Sequence, residues 1–257
     1  MAELNGEPIG PDALQTLALT NYGHFTSMRV EQGRVRGLPL HLDRLVRDCR
    51  AVFDTDLDPE RVLEFIRRAA PGAGACVVRV TVFDPALDLG RIGADARPHV
   101  LVTTRDAGSL PLPPLRVRSA VYTRDMPEVK SVGLFGSLRH RRAAQRAGFD
   151  DALFVDGRSM IFEGGTWNIG FVRGGQVVWP DAECLAGITM RLLQQVHTSV
   201  PAPVGLADVT GFDAAFATNA AVGVRAISRL DDLPLPETHP LIEELREQYT
   251  GIPGDPL

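Results

Sequence analysis

Apolar residues recur along this chain with two different spacings. Between Leu40 and Phe53, the side chains Leu42, Leu45, Val46, Cys49, Val52 and Phe53 follow at i, i+3, i+4 and i+7. That spacing gathers them on one helix face and leaves Arg44, Arg47, Asp48 and Arg50 off it. A second helix is predicted from Asp58-Pro59, a capping acid before a first-turn proline, with Val62, Leu63, Phe65, Ile66 and Ala69 apolar. Around these helices the pattern changes to strand. Glu3 to Pro8 reads as a hairpin turning at Asn5-Gly6, and His24 to Val30 as a strand turning at Gln32-Gly33 into Arg34 to Arg36. The valine-rich runs Ala75 to Phe83 and His99 to Thr104 read as buried strands.

Residues 106–114 break both periods, and Pro111, Pro113 and Pro114 stiffen them into a linker. A small N-terminal α/β domain over residues 1–105 and a larger C-terminal α/β domain over residues 115–257 are therefore expected, α+β as a whole. The second domain should hold strands at Leu115 to Thr123, Asp151 to Val155, Thr166 to Val172, Gln176 to Trp179 and Val222 to Ile227. Helices are expected at about Leu134 to Ala147, from Gly187 to about Val196, and after Thr238-His239-Pro240.

Composition narrows the function classes. A formal charge of −5 and 23% charged residues describe an ordinary soluble protein, and the densest arginine group, Arg139, Arg141, Arg142 and Arg146, reads as a solvated helix face. No nucleic-acid partner is expected. Cys49, Cys76 and Cys184 are odd in number, far apart and set in apolar runs, which suits reduced core thiols and gives no metal spacing. The N-terminus lacks the basic and apolar regions of a signal peptide, and no apolar run reaches membrane-spanning length, so a cytoplasmic protein without a membrane partner is expected.

One residue stands apart from this background. Of 27 lysines and arginines, only Lys130 is a lysine. A guanidinium stays charged and cannot condense with a carbonyl, whereas an amine can form an imine. Taken singly, a lone lysine is also what an arginine-rich composition leaves behind, and the other motifs read equally as hairpins, helix starts and turns.

Their order is more specific. Lys130, then Phe162-Glu163-Gly164-Gly165 with Asn168, then Leu185-Ala186-Gly187-Ile188-Thr189, then Ala217-Thr218-Asn219-Ala220-Ala221 resembles the fold type IV, or class IV, pyridoxal-phosphate enzymes. Branched-chain and D-amino-acid aminotransferases and aminodeoxychorismate lyase belong to that family. Asn21 to Val30 and His41-Leu42-Asp43-Arg44-Leu45 look like its two N-terminal blocks, so the likeness spans nearly the whole chain. The resemblance implies a two-domain fold, a pyridoxal 5'-phosphate cofactor and a homodimer. It assigns Lys130 to the cofactor imine and to proton transfer, and Glu163 to the pyridine nitrogen. Arg44, Ile188, Thr189, Thr218, Asn219 and Ala220 fall to the phosphate, and Tyr22, Phe25, Thr26, Arg29 and Trp167 to substrate.

The implied reaction is transfer of an amino group from an α-amino acid to a 2-oxo acid. Three departures keep alternatives open. Phe135 stands where aminotransferases of the branched-chain type place a tyrosine, Met190 where relatives carry arginine, and the block from Tyr22 to Arg29 is shortened. Elimination of pyruvate from aminodeoxychorismate, and cofactor binding without turnover, are the two alternatives.

Overall fold

The computed structural model describes residues 2–257, and the chain divides into two compact units. The first comprises the chain up to Gly108 together with Val129–Gly133 and Pro253–Leu257. The second comprises Ser109–Glu128 and Leu134–Ile252. The division at Gly108 falls inside the segment expected to be a linker. Lys130 does not follow the second domain, in which the sequence placed it, but packs within the first unit.

In the first unit β1 (Ala2–Leu4) and β2 (Glu7–Pro8) form the expected hairpin, with Asn5 and Gly6 both at positive φ. Then come α1 (Pro11–Thr20), β3 (His24–Glu31), β4 (Arg34–Val35), α2 (Leu38–Phe53), α3 (Pro59–Ala69), β5 (Ala75–Phe83) and β6 (His99–Asp106). Asp58 caps α3 by accepting from the amides of Glu60 and Arg61 at 3.0 and 3.4 Å. The central strand β5 pairs antiparallel with β3 and β6. Its even-numbered residues Cys76, Val78, Val80 and Val82 join Met28, Leu45, Cys49, Phe53, Val62 and Ile66 in one core. The odd-numbered ones, Arg79 and Thr81 among them, therefore face away from α2 and α3.

Two histidines are buried in this unit. Burial, with Arg47 adding to it, holds His24 near a pKa of about 3, and burial with Arg44 and Lys130 does the same for His41. Below their ordinary pKa of 6.5 the unfolded chain binds protons that the folded one refuses, so this contribution is intact above pH 6.5 and lost as pH falls toward 3. Urea unfolding should show a loss of roughly 2 kcal/mol per histidine at pH 5 relative to pH 7. A flat profile over that range would contradict the burial of the two rings.

The second unit is built on β7 (Leu115–Val121), α4 (Phe135–Arg146), β8 (Asp151–Val155), β9 (Ile161–Gly164), β10 (Asn168–Arg173), β11 (Gln176–Pro180), α5 (Ile188–Val196), β12 (Ser199–Ala202), β13 (Ala214–Asn219), β14 (Gly223–Leu230), β15 (Leu233–Pro234) and α6 (Pro240–Gly251). The strand order β10-β13-β14-β7-β8-β9 closes on itself through the pairing of Asn168 with Glu163, which makes a six-stranded barrel. Val117, Leu153, Ile169, Phe171, Ala215 and Ile227 share its core. The chain ends in the first unit, where β16 (Asp255–Pro256) pairs with β4.

Candidate active site

Lys130 is held by its own backbone. Its carbonyl accepts from the amide of Phe25 at 2.8 Å, and the amide of Val132 donates to the carbonyl of Gly23 at 3.0 Å. The segment thereby runs as a short antiparallel bridge along the start of β3, with Val129 and Val132 buried. Gly23 itself lies tight against β5, because a Cβ there would stand 2.5 Å from the Val82 carbonyl oxygen. On the other side, the Lys130 amide donates to Oδ2 of Asp48 at 3.0 Å.

From that anchored backbone the amine reaches the Phe25 ring, with Nζ 4.9 Å from its centroid. Arg79 lies over the same ring, Cζ 3.6 Å from the centroid. Its Nε donates to Thr81 Oγ1 at 3.2 Å. Burial pulls its pKa below the usual guanidinium value, and it forms no ion pair among the described residues. A partly buried cation without a carboxylate, on a ring that a lysine amine also meets, can bind an anion. Sequence reasoning missed Arg79, although the one charge inside the run Val77-Val78-Arg79-Val80 was the available signal. On α2, His41, Arg44 and Asp48 are all buried, so a polar stripe runs beside the apolar one.

In the second unit the acid sits at the seam that closes the barrel. Glu163, 5% exposed, accepts from Arg124 Nε at 2.7 Å through Oε1 and from the Leu185 amide at 3.2 Å through Oε2. Asn168 lies opposite it and donates to the Leu185 carbonyl at 2.8 Å. Burial, then the charge of Glu163, pushes the neighbouring Cys184 thiol up to about 11, so it stays neutral there. Helix α5 begins at Gly187, where a Cβ would stand 1.9 Å from Asn168 Oδ1, and no side chain caps its first amides. It packs against β13, whose Thr218 hydroxyl is buried without a hydrogen-bond partner.

Residues 23–230 match the family described as Amino-transferase class IV. The chain belongs to the class IV aminotransferase family.

This member is 24% identical to a probable branched-chain-amino-acid aminotransferase of Rickettsia bellii, over 97% of its own length and 94% of that protein's. A hypothetical aminotransferase of Mycobacterium tuberculosis, solved in its PLP-bound form, has the same fold. It superposes with a TM-score of 0.81 at 18% identity, covering 98% of each chain. A putative 4-amino-4-deoxychorismate lyase of Legionella pneumophila superposes with a TM-score of 0.78 at 22% identity, covering 93% and 92%.

Several residues expected to meet substrate are engaged elsewhere. Thr26 faces the helices, its hydroxyl 2.7 Å from Nδ1 of His41, because alternate residues of β3 point to opposite sides and it is Phe25, not Thr26, that shares the Arg79 face. Arg29 pairs with Glu31 at 2.7 Å and donates to the Gly108 carbonyl. Trp167 is a core residue, its indole N–H donating to Asp151 Oδ2 at 2.9 Å. Tyr22 stays partly exposed while its hydroxyl donates to the Val52 carbonyl at 2.9 Å. Asn219 serves its own turn, accepting from the amides of Ala221 and Val222 and setting the bend that contains Ala220. Phe135 is the first residue of α4 and 81% exposed.

Each unit holds groups that fit part of pyridoxal phosphate. In the second unit an orphaned buried hydroxyl at Thr218 and the uncapped amides of Ile188 and Thr189 suit a phosphate, and the buried carboxylate of Glu163 suits a protonated ring nitrogen. In the first unit a backbone-anchored amine suits an aldehyde.

Proposed function

We propose that the protein is a pyridoxal-phosphate-dependent aminotransferase that moves an amino group from an α-amino acid to a 2-oxo acid. The observation that carries the proposal is the chain's single lysine, fixed through its own backbone and presenting its amine over the Phe25 ring that Arg79 also covers. The bound cofactor supplies an electron-accepting ring that stabilises the electron pair left when the α-proton departs. Lys130 would hold the cofactor through its aldehyde, and the same Nζ, once free of it, would take the α-proton and return it. Glu163 would hold a proton on the ring nitrogen, and Arg124 pairs with Glu163 and orients it. Arg44, Thr218 and the amides of Ile188 and Thr189 bind the phosphate.

Arg79 is assigned to a carboxylate of the substrate. Arg79→Met should raise KM for the amino donor about ten- to a hundredfold, the loss expected of charge-assisted hydrogen bonds, with a smaller change in kcat. Steady-state kinetics of the purified variant test this, and an unchanged KM would return Arg79 to a purely structural role.

Phe135 favours a second reading, elimination of pyruvate from aminodeoxychorismate, because the hydroxyl expected at that position of an aminotransferase is missing. The two separate in one experiment. An aminotransferase given only an amino donor converts its cofactor stoichiometrically to the pyridoxamine form. A lyase given aminodeoxychorismate releases pyruvate and returns unchanged. We also propose a homodimer, for which light scattering should give twice the chain mass, and a monomer at working concentration would refute it.

A further inference from the structure

The polar stripe of α2 contains a group that the proposed chemistry leaves unused. Asp48 is 0% exposed, a buried carboxylate on a helix whose neighbouring face packs into an apolar core. Burying a charge is costly unless it is fully hydrogen-bonded, so its partners show what it is for. Oδ1 accepts from Arg47, through Nε at 3.0 Å and Nη2 at 2.6 Å. Oδ2 accepts from the amide nitrogen of Lys130 at 3.0 Å. Because the Lys130 carbonyl is taken by the Phe25 amide, both backbone polar groups of that residue are hydrogen-bonded within the first unit. From that fixed backbone the side chain carries Nζ over the Phe25 ring.

We propose that Asp48 is the positioning residue of Lys130, its carboxylate fixing the lysine backbone through the amide so that the amine is delivered at one place. This rests on Lys130 being the residue that captures the cofactor. Arg44, assigned to the phosphate, precedes Asp48 on α2 by one helical turn, about 6 Å of rise. A single rigid helix thus sets both the phosphate-binding guanidinium and the origin of the lysine side chain. A charged acceptor holds an amide more firmly than a neutral one does, which suits an amine that must swing between two bonded states without its root moving.

The test uses the intact apo-protein and pyridoxal phosphate. Capture at Lys130 is followed by absorbance, by borohydride trapping and by mass mapping of the modified residue, alongside thermal melting of the same samples. Asp48→Ala should slow capture about tenfold, the loss of one charge-assisted hydrogen bond. Asp48→Asn, which keeps an oxygen acceptor, should recover most of that rate. Arg47→Met removes the other partner and should lower the melting temperature while leaving the capture rate within about twofold. Should Asp48→Ala fail to fold, an ester in place of the amide at residue 130 deletes the same hydrogen bond and keeps every side chain. Slow capture by the ester or by folded Asp48→Ala supports the proposal. Capture at the unmodified rate by either overturns it. Absence of trapped label on Lys130 in the unmodified protein would instead overturn the aminotransferase proposal itself, so the two failures are distinguishable.

Discussion

Lys130→Arg should give a folded protein that captures no pyridoxal phosphate covalently and turns over at least about a thousandfold more slowly. Arginine preserves the positive charge, approximately the length, and the stacking available over Phe25, so the substitution isolates the nucleophile and proton carrier from the cation. Melting should therefore change little, because the hydrogen bonds that hold residue 130 come from its peptide and survive the change. Since no other lysine exists, borohydride treatment of the unmodified protein must place the pyridoxyl group on Lys130 or on the α-amino terminus. Mass mapping distinguishes these. Retention of activity within tenfold in Lys130→Arg would end the proposed chemistry.

The sequence disclosed the elements whose patterns are local. Helices α2 and α3 were visible because one face of each is apolar, and β5 because valines fill it. Helix α1 was missed for the same reason in reverse. None of its residues is buried, so Leu14, Leu17 and Leu19 write no core-facing stripe. Strand β13, with the sequence Ala-Ala-Phe-Ala-Thr-Asn, carries little β-propensity, and only its neighbours β10 and β14 make it a strand.

Candidate site residues divide along a similar line. Lys130, Arg44, Glu163, Thr189 and Thr218 were named as candidates through chemical type and order, which survive as letters. Strand parity separates Phe25 from Thr26, and it follows from pairing with β5 that no short motif encodes. The return of residues 129–133 to the first unit is made by backbone hydrogen bonds, which every residue type can form, so composition says nothing about it. Asp48 was read as lying off the packed face because a charged letter at that helical position usually does.

Glu163→Gln should retain covalent capture at Lys130 while lowering turnover about a hundred- to a thousandfold, since an amide cannot hold the ring nitrogen protonated. The variant keeps an oxygen that can accept from Arg124 or from the Leu185 amide, but it leaves Arg124 without its carboxylate. A stability loss on the order of 1–3 kcal/mol is expected from that largely buried pair. A second readout needs no cofactor. The Cys184 thiol is raised to about 11 first by burial and next by the charge of Glu163, while Arg124 acts in the opposite sense. Removing the acid's charge leaves burial and exposes the thiol to the arginine, so the pKa of Cys184 must fall. Alkylation of Cys184 in the apo-protein, followed against pH by mass spectrometry, should therefore start at lower pH in Glu163→Gln than in the unmodified chain. An unchanged thiol profile would contradict the electrostatic contribution of Glu163 to Cys184 and, with it, the carboxylate at the barrel seam on which the ring-nitrogen role depends.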